Sequence, residues 1–169
     1  MKSVAMVIAE KNFRDEEYQM PKEILEKAGI KVVTVSTTLK EVTGKLGLKV
    51  TPDELLENID PKQHDAVIFI GGGGAEQYFD DERALNLAKA AAENKKIYGA
   101  ICIAPVILAN AGLLKNKKAT VFSSEVSMIK EMGAIYTDEG VVIDGNLVTA
   151  DGPASAKNFG EAIVNLLKK

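Results

Sequence analysis

Gly99-Ala100-Ile101-Cys102-Ile103-Ala104-Pro105 contains the only cysteine of the chain, at the point where an apolar, strand-like run gives way to a helical pattern. Read outward from the cysteine, residues 96–101 form a buried strand and residues 103–111 a helix closed by Gly112. A thiol on such a strand-to-helix turn sits beside unpaired backbone N–H groups and the positive end of a helix, and both favour thiolate over thiol. A cysteine inside a core is simply a small apolar residue; its place at the turn makes Cys102 a candidate nucleophile. The uncharged stretch 97–114 approaches membrane-spanning length. Gly99, Pro105, Asn110 and Gly112 interrupt it, so it reads as a buried strand followed by a buried helix.

On either side, apolar runs alternate with helical patterns, the signature of an α/β three-layer sandwich with a mostly parallel central sheet and helices on both faces. Before the cysteine, strands are expected at residues 4–9, 31–35 and 65–70. Helices are expected at 16–28, closed by Gly29, and at 75–93. Pro21 falls early in the first helix, where proline costs least. Residues 41–50, with turn signals at Thr43-Gly44 and Gly47, read as a small peripheral hairpin, and 53–58 as a short helix. After the cysteine come a strand at 119–122, a helix at 125–132, two short strands flanking Asp144-Gly145-Asn146, and a last helix at 154–167. Ser123, Ser124 and Glu125 read as capping signals.

The 169 residues, 46% of them apolar, suit a single domain spanning 1–169 with a sizeable core. A net charge of -3, no tryptophan and no basic stripe argue against nucleic acid as a partner. One cysteine forms no internal disulfide, and no signal-peptide pattern opens the chain, so a cytoplasmic location is expected and no membrane contact. No His, Cys and carboxylate cluster has metal-ligand spacing; no metal and no cofactor is expected.

In an open sheet of this kind ligands bind at the carboxyl ends of the strands, so the loops after Ala9, Ile70, Ile101 and Ala150 should converge on one crevice. Gly71-Gly72-Gly73-Gly74 lacks the lysine and spacing of a phosphate-binding loop. Its amides suit an oxyanion hole, formed by Gly73 with Ile103. The loop after Ala9 supplies Glu10, Asp15, Glu16 and Glu17, and composition does not choose among them.

Four segments, taken in order, choose. Glu16-Glu17-Tyr18-Gln19-Met20-Pro21, Phe69-Ile70-Gly71-Gly72-Gly73, Ala100-Ile101-Cys102-Ile103-Ala104-Pro105 and Asp151-Gly152-Pro153 resemble the ThiJ/PfpI (DJ-one) superfamily across essentially the whole chain. The resemblance implies a flavodoxin-like sandwich, a strained nucleophile elbow at Cys102, and a carboxylic acid four residues before a proline, here Glu17, hydrogen-bonded to the sulfur. It also brings Gly72, Phe122, Asp151 and Pro153 to the lining of the site, and implies a homodimer. A protonated Glu17 would donate to sulfur and lower the thiol pKa, whereas an ionised one would raise it; a neutral buried acid and a largely ionised thiol are therefore expected. The same acid could hydrogen-bond a sulfinate after oxidation.

Departures from the family pattern limit the activity. Members described as peptidases have histidine directly after the cysteine, where this chain has Ile103. Members with glyoxalase or deglycase activity often use a histidine after the elbow helix, and Phe122 stands there. The downstream His and Glu pair of the related amidotransferases is also missing. The only histidine, His64, precedes the strand at 65–70 and so lies roughly 15–20 Å from Cys102, at the other end of the sheet. The expected partners are small electrophiles or oxidants. The leading expectation is a thiol-dependent glyoxalase or deglycase-like enzyme, and the alternative a non-catalytic oxidative-stress sensor.

Overall fold

The computed structural model describes residues 1–169. Its main sheet has seven strands in the order β10-β11-β7-β6-β1-β2-β5. The central four are β1 (Ser3–Val7), β6 (Ala66–Phe69), β7 (Ile97–Ile101) and β11 (Leu147–Ala150), flanked by β2 (Lys31–Ser36) and the edge pair of residues β5 (Glu54–Leu55). All neighbours run parallel except β10 (Val141–Asp144), which joins β11 by an antiparallel hairpin. The central strands are apolar on both faces, as a sheet covered by helices on each side requires. Helices α1 (Asp15–Lys27) and α5 (Ala156–Leu167) pack together over one face, and α2 (Glu82–Glu93) and α3 (Pro105–Asn110) over the other. One cluster of 49 buried residues draws on the sheet and both helical layers. The α/β sandwich read from the sequence is the fold observed, and no helix is long and apolar enough to cross a membrane.

Register sets the position of the site. Val7 pairs with Phe69, Phe69 with Ala100 and Ile101 with Ala150, so four strands end level and release their loops at one edge. Backbone hydrogen bonds then bind these loops to one another: Arg14 N–H donates to Gly71 O at 2.9 Å, and Gly74 N–H to Asn12 O at 3.0 Å.

Several local expectations are corrected. Residues 53–58 do not form a helix. Glu54–Leu55 extend the sheet beside β2, and only Leu56–Asn58 coil into a 3-10 turn. The expected helix at 75–93 divides into a 3-10 segment, Gly73–Tyr78, and α2, because Asp81 caps a fresh start by accepting from Arg83 N–H. The strand after the elbow helix shortens to β8 (Lys118–Ala119). It pairs with an unexpected β9 (Ile135–Tyr136) in a separate two-stranded sheet. Pro21 is the seventh residue of α1 rather than an early one. Lacking an N–H, it cannot bond the carbonyl of Glu17 one turn earlier. The resulting irregularity lies against α5, where a Cβ at Gly160 would come within 2.9 Å of Pro21 Cα.

Candidate active site

Cys102 is the residue on which strand and helix change direction. Its φ of +65° lies in the left-handed region, where a side chain with a Cβ is strained by roughly 1–2 kcal/mol. Two bonds from different segments hold it there. Its N–H donates to Ala150 O at 2.9 Å, and its C=O accepts from Phe122 N–H at 2.8 Å. Strain persists only where the surroundings over-determine it, and here β11 and the segment after α3 do so. The amides of Gly72 and Ile103 donate to no backbone carbonyl and act on the sulfur, drawing its pKa down. Of the two amides expected to form a hole, Ile103 is in place. The second amide near the sulfur is that of Gly72, while Gly73 only lines the cavity.

Glu17, on the first turn of α1, is completely buried. Its carboxyl and the thiol face each other across Gly71. A Cβ on Gly71 would lie 2.5 Å from Cys102 Cβ and 2.6 Å from Glu17 Oε1, so only glycine leaves room for the pair. The thiol and the Gly71 amide act on the ionisation of Glu17, yet neither carboxyl oxygen has a hydrogen bond of good geometry. A buried carboxylate without partners is costly, and burial pushes Glu17 up to about 8, with the nearby Arg14 charge opposing the shift. That elevation favours the protonated acid at neutral pH.

The thiol behaves otherwise. Burial first, and then the charge of an ionised Glu17, push Cys102 up to about 12, against the lowering by the two amides. The sequence leads one to expect a largely ionised thiol at neutral pH. Desolvation, which depends on the depth of the elbow and has no sequence signature, reverses that direction. Because each group's charge disfavours the other's, the two titrate as a pair that carries a single negative charge between its two ionisations.

Cys102 and Glu17 open onto a cavity of about 280 Å³ that is also lined by Gly72, Gly73, Ile103, Phe122 and Pro153. Asp151 is not part of the lining; its carboxylate accepts from Ser155 Oγ at 2.6 Å and fixes the turn into α5. Larger concavities exist at the amino end of the sheet, away from the thiol. His64 is at that end, its Nδ1 2.8 Å from Ser3 Oγ, and burial draws its pKa down. Tyr78 donates to Ile8 O and Tyr18 shares a bond with Thr34 Oγ1, so both are packing residues.

Sequence reasoning missed the charged rim: Arg14, Lys45, Glu76 and Glu125, with Ser124. The hairpin of β3 (Val42–Thr43) and β4 (Lys49–Val50) is not peripheral, because its turn carries Lys45 to the cavity. Asp15 anchors that turn, accepting from Leu46 N–H at 3.1 Å and Leu48 N–H at 2.9 Å. An acid at the start of a helix usually serves the helix dipole, so nothing in the sequence pointed Asp15 at the hairpin.

A left-handed cysteine elbow opposite a buried acid, on a parallel sheet closed by an antiparallel hairpin, defines a class of cysteine-bearing α/β proteins. The DJ-1/PfpI family model matches residues 2–166, and the chain belongs to that family. It is 41% identical over 169 residues to the protein MJ0967 of Methanocaldococcus jannaschii, covering 98% of this chain and 82% of that one. It is 37% identical over 168 residues to a Bacillus subtilis protein named "Putative cysteine protease YraA", covering 99% of each. Among solved structures, a ThiJ/PfpI domain protein from Brachyspira murdochii superposes with a TM-score of 0.96 at 39% identity, over 98% of this chain and 96% of that one. Drosophila melanogaster DJ-1beta superposes at 0.90 with 27% identity, over 98% and 90%.

Proposed function

We propose that this protein is a thiol-dependent enzyme acting on small aldehydes or glycated groups, of the glyoxalase or deglycase kind. The observation that carries the reading is the pairing of a left-handed Cys102 with a fully buried, unbonded Glu17 on one cavity of about 280 Å³. A space of that size suits a small ligand. Once the pair has lost one proton, the charge is productive on sulfur while Glu17 keeps the other. The thiolate then adds to the carbonyl carbon and Glu17 passes its proton to the new alkoxide. The amides of Gly72 and Ile103, which have no backbone acceptor, can turn from the sulfur to the oxygen as charge moves onto it. Peptidase chemistry is not proposed, because Ile103 leaves the sulfur without an adjacent imidazole.

Methylglyoxal turnover, followed by loss of substrate and appearance of lactate, tests the reading in wild type, Cys102→Ala and Glu17→Gln. Loss of turnover in both variants is expected, and equal rates in all three overturn it.

A second reading, an oxidative-stress sensor, is favoured by the two unbonded carboxyl oxygens of Glu17. When protonated, the carboxyl could donate to a sulfinate oxygen and hold oxidation at that stage. Mass spectrometry after mild peroxide distinguishes it: oxidation of Cys102 that stops at sulfinate, without aldehyde turnover, supports the sensor.

A further inference from the structure

Charge is unevenly placed on this protein. The rim over the elbow balances Arg14 and Lys45 against Glu76 and Glu125, the last just ahead of α4 (Val126–Glu131), where it makes no side-chain capping bond. A cavity of about 420 Å³ at the opposite end of the sheet is basic: Lys2, Lys95, Lys96 and Lys169 line it, against Asp65 alone. Asp65 is already engaged, accepting from Ser3 N–H at 2.9 Å with Lys2 Nζ 3.9 Å away. Leaving out Lys169, the last residue, two ammonium groups remain with no anionic partner in the protein, Lys95 and the half-buried Lys96. Their field reaches His64 beside the cavity. Burial first, then the charge of Lys31, draw its pKa down, and Lys96 adds to them against Asp65 and Asp60.

Helix ends do not account for these lysines. A cation complements the C-terminal end of a helix, and α2 and α5 both finish near this cavity. Yet the last carbonyls of α2 are closed without an ammonium: Ala90 O accepts from Asn94 N–H and Asn94 Nδ2, Ala91 O from Lys96 N–H, and Ala92 O from Lys95 N–H. Lys95 has a φ of +58°, the left-handed conformation in which glycine or asparagine ordinarily closes a helix. A strained lysine thus stands where glycine would serve the fold better. The backbone around it is braced: Asn146 Nδ2 donates to Lys95 O at 3.0 Å and Tyr98 N–H to Asn146 O at 3.0 Å, which ties the end of α2, the β10–β11 turn and β7 into one wall. On that turn the amides of Gly145 and Asn146 have no backbone acceptor.

We propose that this cavity binds the phosphate monoester of a small polyhydroxylated molecule, with Lys95 and Lys96 holding the phosphate. A phosphate dianion matches two unpaired ammonium groups. Lysine meets it as a point charge, whereas a planar carboxylate is better matched by the fork of an arginine, and no arginine lines the cavity. The volume exceeds what inorganic phosphate needs and falls in the range of small-ligand sites. Asn94, Asn146 and the turn amides offer partners for hydroxyl groups. No aromatic ring is present on which a nucleobase could stack. The five residues of β7, about 16 Å of strand, separate Ile97 in this wall from Cys102, so the site stands or falls apart from the aldehyde reading.

Calorimetry at low ionic strength tests glucose 6-phosphate, glucose and inorganic phosphate against wild type, Lys95→Gly, Lys96→Gln and Lys40→Gln. The last is a control for net charge, since Lys40 is exposed in the loop after β2. Glucose 6-phosphate should bind wild type one to one, more tightly than either fragment, and more weakly as salt is added. Lys95→Gly relieves the backbone and so retains the fold; it and Lys96→Gln should each weaken binding about 5–10-fold, with Lys40→Gln unchanged. The iodoacetamide rate of Cys102 should be the same in all four proteins. Absence of saturable binding to wild type overturns the site. Equal affinity for inorganic phosphate, or for glucose, overturns the ligand class. Undiminished affinity in Lys95→Gly and Lys96→Gln, or an equal loss in Lys40→Gln, overturns the placement.

Discussion

Replacing Glu17 by glutamine should remove most of the fall in stability between acid and neutral pH. An acid whose pKa is higher folded than unfolded favours folding while it is protonated in both states. That advantage is lost as pH rises from the unfolded value towards the folded one. For Glu17 the window runs from the ordinary 4.5 to about 8. Integrating between those limits gives a loss of about 3 kcal/mol between pH 4.5 and 7, approaching about 5 kcal/mol once the carboxyl is fully ionised. Glutamine has nearly the same shape and does not titrate, so its curve lacks this component whatever its absolute stability. Below pH 8 the thiol is neutral in both states and adds nothing of its own, since burial and the Glu17 charge hold it up to about 12. Urea unfolding followed by circular dichroism at several pH values across the window measures both curves. Parallel curves for the two proteins would refute the reasoning, because they would mean that Glu17 is already ionised in the native state or reached by water.

The elevated thiol predicts that iodoacetamide alkylation of Cys102 climbs only as the pair loses its first proton, near the Glu17 value of about 8, and that Glu17→Gln does not move the climb to lower pH, because burial, the larger cause of the thiol's elevation, remains. A wild-type rate already at its plateau by about pH 6 contradicts this. Gly71→Ala places a methyl group 2.5 Å from Cys102 Cβ, so it should lower stability by about 1–3 kcal/mol and suppress alkylation, measured on the same samples. Asp15→Ala leaves the Leu46 and Leu48 amides without their acceptor. It should cost about 1–3 kcal/mol and speed hydrogen exchange in the β3–β4 turn, while the alkylation profile of Cys102 stays in place.

The layered sheet was legible because its strands are short β-branched runs separated by helical patterns with glycine stops, and because Asp144-Gly145-Asn146 announces a hairpin. The thiol was legible for a related reason: it lies where one period changes to the other. Elements of two residues, such as β5, β8 and β9, were not, since so short a segment has no period and its conformation is decided by the neighbour it meets. Glu17 emerged only through the family resemblance; local composition gives Glu10, Asp15, Glu16 and Glu17 equal claim. Asp151 was misread because an acid in a loop at the correct sheet edge can turn either to the cavity or to its own chain, and Ser155 four residues on decides for the chain. Lys45 and Glu125 were hidden for the opposite reason: a turn and a helix start already explained them locally, and only the packing of loops against the elbow gave them a second role.

The backbone of Cys102 carries one more consequence. Glycine adopts φ of +65° without penalty, so Cys102→Gly should fold into the same elbow and gain up to about 1–2 kcal/mol, less whatever the lost side-chain contacts contributed. The protein is therefore separated from a more robust, chemically silent version of itself by a single codon change. The side chain at this position is thus held at a cost to the fold that glycine would not incur.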